Sequence, residues 1–131
     1  MIALDTNVIL RFLVGDDPEQ ARIARDFMSK LEKHRRGFIC REVVLELAWV
    51  LERSYKVERS RIADALERLI AAEEIVVETA DDIASSIASW RAGGAGLGDW
   101  MISVAAWRAG AHAIVTFDGK AARIPGASLL G

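Results

Sequence analysis

The sequence predicts an α/β protein with a mostly parallel central sheet covered by helices. Two observations predict it. Short apolar, often β-branched runs (Ile2 to Leu4, Phe38 to Cys40, Ile75 to Val77, Ala113 to Thr116) are separated by longer stretches of helical spacing, the pattern of strands joined by helical crossovers. The first and last of these runs each lead into an acidic turn, Asp5-Thr6-Asn7 and Phe117-Asp118-Gly119, as expected where buried strands deliver polar groups at their C-terminal ends.

Ile2 to Leu4 reads as the first strand, and Val8 to Val14 as a short helix. Asp17-Pro18-Glu19-Gln20 is a helix start, with Asp17 as cap, Pro18 in the first helical position and Gln20 placed to complete a capping box. That helix is expected to run to about His34. After Gly37, the strand Phe38 to Cys40 leads into a helix from about Glu42 to Tyr55, with Val43, Val44, Leu47, Val50 and Leu51 on its apolar side and Glu46 at the border of that stripe. Ser60 to Ala72 continues with helical spacing and no strand between, so Glu42 to Ala72 is an inserted αα-hairpin. Ile75 to Val77 is the third strand. Asp81 or Asp82 is placed to cap a helix through about Arg91, and Gly93 to Gly98 is a loop. A helix follows from Asp99 to Ala109, its face carrying Asp99 continuing through Ile102, Ser103 and Ala106. Ala113 to Thr116 and an edge strand at Ala127 to Leu130 complete the chain.

The bulk composition bounds what such a fold can do. The 131 residues suit one domain, residues 1–131, and 52% apolar with 27% charged content is that of a folded chain. The formal charge of -2 offers no overall basic excess, so contact with nucleic acid has to rest on a local patch or on a bound cation. A single cysteine, Cys40, excludes an intramolecular disulfide and a Cys-rich zinc site. With no basic leader and no apolar run near ~18 residues, a cytoplasmic protein without a membrane segment is expected.

Four carboxylates carry the chemistry: Asp5, Glu46, Asp99 and Asp118, each where an apolar strand or helix begins or ends. Carboxylates gathered in one place repel one another and are costly to desolvate, so a cation is expected to hold them. Hard oxygen donors suit Mg²⁺ or Mn²⁺, whereas His34 and His112 lack zinc-ligand spacing. Such a cation acidifies a bound water and offsets charge on a phosphodiester, so hydrolysis of that bond is the natural chemistry. Thr6 and Thr116 are candidates to orient the carboxylates, and Asn7 to do the same or to meet substrate phosphate. Taken singly, each acid has an ordinary reading: Asp5 and Asp99 as helix caps, Glu46 as a charged residue at the helix edge, paired with Arg53 or solvated, and Asp118-Gly119 as a turn. Glu42, one turn before Glu46, is the rival second acid.

Together, Asp5-Thr6-Asn7, Glu46 within VVLELAWVLERSY, Asp99 within GLGDWMISVAAWRAGA and the ending IVTFDGKAARIPG resemble the PIN-domain family, specifically the VapC-like toxins of bacterial toxin-antitoxin pairs. The resemblance covers nearly the whole chain in order. It implies a three-layer α/β/α fold, a Mg²⁺- or Mn²⁺-dependent endoribonuclease, and Asp5, Glu46 and Asp99 as the most constant acids, with Asp118 a more variable fourth. It also implies a homodimer and a VapB-like protein antitoxin, through which alone DNA would be met. One departure is the glycine-rich segment before Asp99, with Gly94, Gly96 and Gly98.

Two other functions compete. One is a non-catalytic module of the same fold that binds RNA or protein. The other is a phosphotransferase or phosphatase with Asp5 as covalent nucleophile, a chemistry that usually wants a second Asp at position 7, where this chain has Asn. Trp49, Trp100 and Trp107 are expected in the core or at a dimer interface, and Leu45, Trp49 and Leu69 are candidates for surplus apolar surface on the hairpin.

Overall fold

The computed structural model describes residues 1–131, which form two compact units, Met1–Ala80 and Asp81–Gly131. In the first, strands β1 (Ile2–Ala3), β2 (Gly37–Ile39) and β3 (Ile75–Val77) make a parallel sheet in the order β1-β2-β3. Register pairs Ile2 with Gly37 and Ala3 with Phe38, then Gly37 with Ile75 and Ile39 with Val77. Helices α1 (Thr6–Leu13) and α2 (Pro18–Ser29) cross from β1 to β2, and α3 (Arg41–Arg53) and α4 (Arg59–Ala71) from β2 to β3. Both crossovers step the same way across the sheet, so right-handed connections lay both helical pairs on one face, where α1 packs on α3 and α4 on β3.

The period of two in the strands fits this. Gly37, Ile39, Ile75 and Val77 are buried, while Phe38 and Val76 between them are half-buried. Ile9, Leu47, Ile62 and Leu66 form the helical side of the core, each contributing about 1.5–3 kcal/mol through burial. Gly37 is required by close packing: a Cβ there would stand 2.8 Å from Leu4 Cδ1 and 3.1 Å from Leu31 Cδ1.

Two details of α2 differ from expectation. The helix ends at Ser29, because Leu31 turns into the core and Glu32 and Arg35 exchange backbone hydrogen bonds in a tight turn before β2. Asp17 caps it as expected, accepting from the Gln20 N–H at 3.1 Å, but the Gln20 side chain accepts from Arg11 Nε at 2.8 Å rather than closing a capping box. The αα-hairpin is α3 and α4, and its Leu69 is core, leaving Leu45 and Trp49 as its exposed apolar residues.

The second unit holds α5 (Ala80–Arg91), α6 (Leu97–Arg108), β4 (Ile114–Thr116), a 3-10 turn (Ala121–Arg123) and β5 (Ala127–Leu129). β4 and β5 pair in parallel with each other, Ile114 opposite Ala127 and Thr116 opposite Leu129, so the five strands form two hydrogen-bonded sets. Asp81 and Asp82 lie inside the first turn of α5 rather than capping it, favourably placed for the helix dipole. Ile83, Ile87 and Trp90 are the buried side of that helix. α6 starts two residues before Asp99, because the apolar Leu97 is drawn inward and carries the chain into helix. Along the face expected to pack closely, Ser103 and Ala106 are half-buried and Ile102 is exposed. No helix is long and apolar enough to cross a membrane.

Candidate active site

In the first unit the chain leaves β1 through Leu4, whose N–H still bonds to the Phe38 carbonyl at 2.8 Å, and reaches Asp5 at the N-cap of α1. Asp5 is therefore both things the sequence allowed, a cap and an acid just past the C-terminal end of a parallel strand, although that strand is not buried: Ile2 is half-buried and Ala3 exposed. Its Oδ1 accepts from the Thr6 N–H at 2.8 Å, and its Oδ2 has no protein partner. Thr6 itself is only 4% exposed, and its hydroxyl is buried without a hydrogen bond. A hydroxyl in that state beside a carboxylate is suited to a bound water or cation-ligated group. Asn7 is exposed and lines an apolar cleft of 480 Å³ with Ala3, Leu4, Val8, Ile23 and Phe27.

Glu46 lies in the middle of α3, between buried Val44 and Leu47, and its own carboxylate is exposed with neither a hydrogen bond nor an ion pair. Of the two ordinary readings, pairing with Arg53 or solvation, the structure shows the second; Arg53 lies over the Trp49 ring, 6.0 Å from its centroid. Glu42, the rival acid, is exposed in the first turn of the same helix.

In the second unit Asp99 is the third residue of α6, where its Oδ2 accepts from the Gly96 N–H at 3.2 Å. This return bond fixes the end of the glycine-rich segment, whose Gly93 and Gly94 take positive φ (103° and 85°) that other residues rarely adopt. Beside it, Trp100 Nε1 is buried without a partner. Asp118 follows β4 and is exposed; its Oδ1 accepts from the N–H groups of Lys120 (2.8 Å) and Ala121 (3.4 Å), starting the 3-10 turn. Thr116 bonds to the backbone rather than to the carboxylate: its hydroxyl accepts from the Asp118 N–H at 3.0 Å. The 560 Å³ cleft of this unit, edged by Asp82, Trp107, Arg108 and His112, includes neither Asp99 nor Asp118.

Each of the four carboxylates thus keeps at least one oxygen free of protein partners. The structure brings no three His, Cys, Asp or Glu side chains into a group that could hold a metal ion. The free donors are all carboxylate oxygens, a set whose chemistry fits Mg²⁺ or Mn²⁺.

Sequence reading missed one polar cluster in the first unit. Asp16 accepts from Arg11 Nη1 at 3.0 Å and from the Tyr55 hydroxyl at 2.7 Å, while Arg11 Nη1 is 3.5 Å from that hydroxyl. With Asp16 and Tyr55 39 positions apart in the sequence, no local spacing signals it.

Residues 2–127 match the family described as PIN domain. Over 78 residues the chain is 36% identical to a VapC ribonuclease of Aquifex aeolicus (strain VF5), a stretch covering 60% of this chain and 58% of that protein.

Proposed function

We propose, from the premise that this chain belongs to the PIN-domain family, that it is a Mg²⁺- or Mn²⁺-dependent endoribonuclease and the toxin of a toxin-antitoxin pair. Both compact units then belong to a single PIN domain, a reading supported by the family match running from residue 2 to 127. The observation that carries the proposal is the placement of Asp5 and Asp118. Each lies just past the C-terminal end of a parallel strand, where ligands of α/β sheets collect, with one oxygen fixed by backbone N–H groups and the other free. The likeness to a VapC ribonuclease supports RNA as substrate.

In this reading Asp5, Glu46 and Asp99 would be the residues that hold the cation, and Asp118 a fourth. A cation there would supply an acidified water and offset charge on the phosphodiester. Thr6 offers its buried hydroxyl to a carboxylate or to that water, and Asn7 contacts substrate phosphate. Thr116 acts one step removed, shaping the turn that presents Asp118. Attack at phosphorus with departure of the ribose 3′ oxygen leaves 5′-phosphate and 3′-hydroxyl ends.

A VapB-like antitoxin and a second copy of the chain are the proposed partners. Exposed apolar side chains support partner binding: Leu45 and Trp49 in the first unit, Ile102, Trp107, Val115 and Phe117 in the second. The same surface favours the second reading, a non-catalytic binding module. Metal-dependent cleavage separates the two, since a binding module retains RNA without cutting it. The test is cleavage by Asp99→Asn, predicted to be abolished while circular dichroism is unchanged; undiminished cleavage by Asp99→Asn overturns the assignment.

A further inference from the structure

The 560 Å³ cleft of the second unit takes no part in the function proposed above. It lies at the far end of α6 from Asp99: Trp107, which forms one wall, is eight residues further on, about 12 Å along the helix. Ile114, the first residue of β4, lines it too, whereas Asp118 follows the other end of that strand. The cleft is therefore separate from the four carboxylates.

Its walls combine an aromatic face with free polar groups. The Trp107 side chain is 73% exposed, and the His112 ring stands edge-on to it, the planes at 84° and the centroids 6.2 Å apart. A flat ring stacked on the indole would stand perpendicular to the imidazole, so both arrangements that aromatic pairs prefer are available at one corner. Asp81 and Ser85 from α5 and Ser103 from α6 line the same space, and none of these three side chains has a hydrogen-bond partner in the protein. The guanidinium in the lining is already engaged, since Arg108 donates to the Asp82 carboxylate from Nε at 3.2 Å and from Nη2 at 2.8 Å.

These groups select a class of ligand. With the Arg108 charge matched and no lysine in the lining, little there would hold a phosphate. The Asp81 carboxylate only accepts, so it favours a ligand edge that carries N–H donors, while the two hydroxyls both donate and accept. A lone guanidinium or ammonium group would satisfy Asp81, but it offers no acceptor to the hydroxyls and fills little of the 560 Å³. A flat heterocycle with donors and acceptors on one edge uses the whole set, in a volume typical of pockets that enclose a small organic molecule.

We infer that this cleft binds a nucleobase carrying an exocyclic amino group, stacked on Trp107, with the amino group donating to Asp81 and Ser85 and Ser103 meeting the rest of the base edge. Unstacked bases are read by this combination of aromatic stacking and edge hydrogen bonds. A free nucleoside and a base splayed from single-stranded RNA present the same chemistry here. The inference uses neither a cation nor cleavage.

The test is titration of the isotope-labelled full chain in EDTA, followed by NMR at the Trp107 indole N–H, which Trp107→Phe assigns. The probes are cytidine, uridine, which lacks the amino group, and single-stranded oligocytidylate and oligouridylate. Cytidine is expected to shift the resonance and uridine to bind several times more weakly. Trp107→Ala should weaken cytidine binding, followed by calorimetry, at least roughly fivefold, the lower end for loss of one base stack. Asp81→Ala should keep the stack and lose the preference for cytidine. Both side chains are exposed, so far-UV circular dichroism should be unchanged in both variants. Tighter binding of oligocytidylate than of cytidine, with the gain dependent on Trp107, supports the inference with RNA as the source of the base; equal affinity supports it with a free nucleoside. A Trp107 resonance unmoved by cytidine and oligocytidylate overturns the inference, and so does equal affinity of the wild type for cytidine and uridine. A wild-type dimer that Trp107→Ser converts to monomer also overturns it, because the ring would then belong to a second copy of the chain. None of these failures touches the metal-dependent cleavage proposed above, which is tested through Asp5 and Asp99.

Discussion

Replacing Asp5 with asparagine separates the two roles of that side chain. Asn is as good an N-cap as Asp, and its amide oxygen can still accept from the Thr6 N–H that Asp5 holds at 2.8 Å. The fold should therefore persist with an unchanged thermal midpoint. Cleavage should fall by at least the roughly 100-fold that marks the upper range for groups merely supporting a metal ligand. Activity assays beside differential scanning fluorimetry check both halves, and equal losses of stability and activity would reduce Asp5 to a cap. Asp17 has only the structural role: removing its bond to the Gln20 N–H by Asp17→Ala should cost about 1 kcal/mol in chemical denaturation and leave cleavage per folded molecule unaltered.

At the scale of elements, β2 and α5 offer contrasting tests. Gly37→Ala puts a methyl within 2.8 Å of Leu4 Cδ1, so overpacking should destabilise the first unit by about 1–3 kcal/mol, read from the urea midpoint. In the second unit Arg108 donates from Nε and Nη2 to the Asp82 carboxylate, and this bonding holds the Asp82 pKa below the usual carboxylate value. A lowered acid contributes stability above its unfolded pKa and loses it as pH falls through the folded value. The difference in thermal midpoint between wild type and Arg108→Ala should be small at neutral pH, the pair being exposed, and should vanish in acid. A difference that grows in acid would contradict the assignment.

These elements also show what the sequence makes legible. Strands and hairpin were readable because β-branched runs and helical stripes are local signals, and Asp17-Pro18 marks its helix through its own backbone needs. The end of α2 was not readable, because Leu31 falls three residues after buried Met28 and so keeps the helical spacing in sequence, while the folded chain turns there to fill the core beside Gly37. Asp5 and Asp118 could be found from their positions after apolar runs. The tie from Asp16 to Tyr55 joins residues far apart in the sequence and leaves no local trace. Trp49 and Trp107 were expected in the core or at an interface; both are exposed, 58% and 73%, whereas Trp90 is the tryptophan in the core.

For the whole molecule, the exposed apolar side chains are the surface proposed for a partner, and the free carboxylate oxygens the ligands proposed for a cation. A homodimer is expected, and sedimentation equilibrium of the full chain should give about twice the 14.4 kDa monomer mass. Trp107→Ser or Trp49→Ser should shift it towards monomer if those side chains lie in the interface. Metal-dependent cleavage through the acidic residues is tested by incubating total RNA with purified, antitoxin-free protein in Mg²⁺, Mn²⁺ or EDTA, beside folded Asp5→Asn. Discrete fragments with 5′-phosphate ends, formed only with metal and only by the wild type, are the predicted result. Fragments that persist in EDTA, or that Asp5→Asn produces equally well, would contradict it.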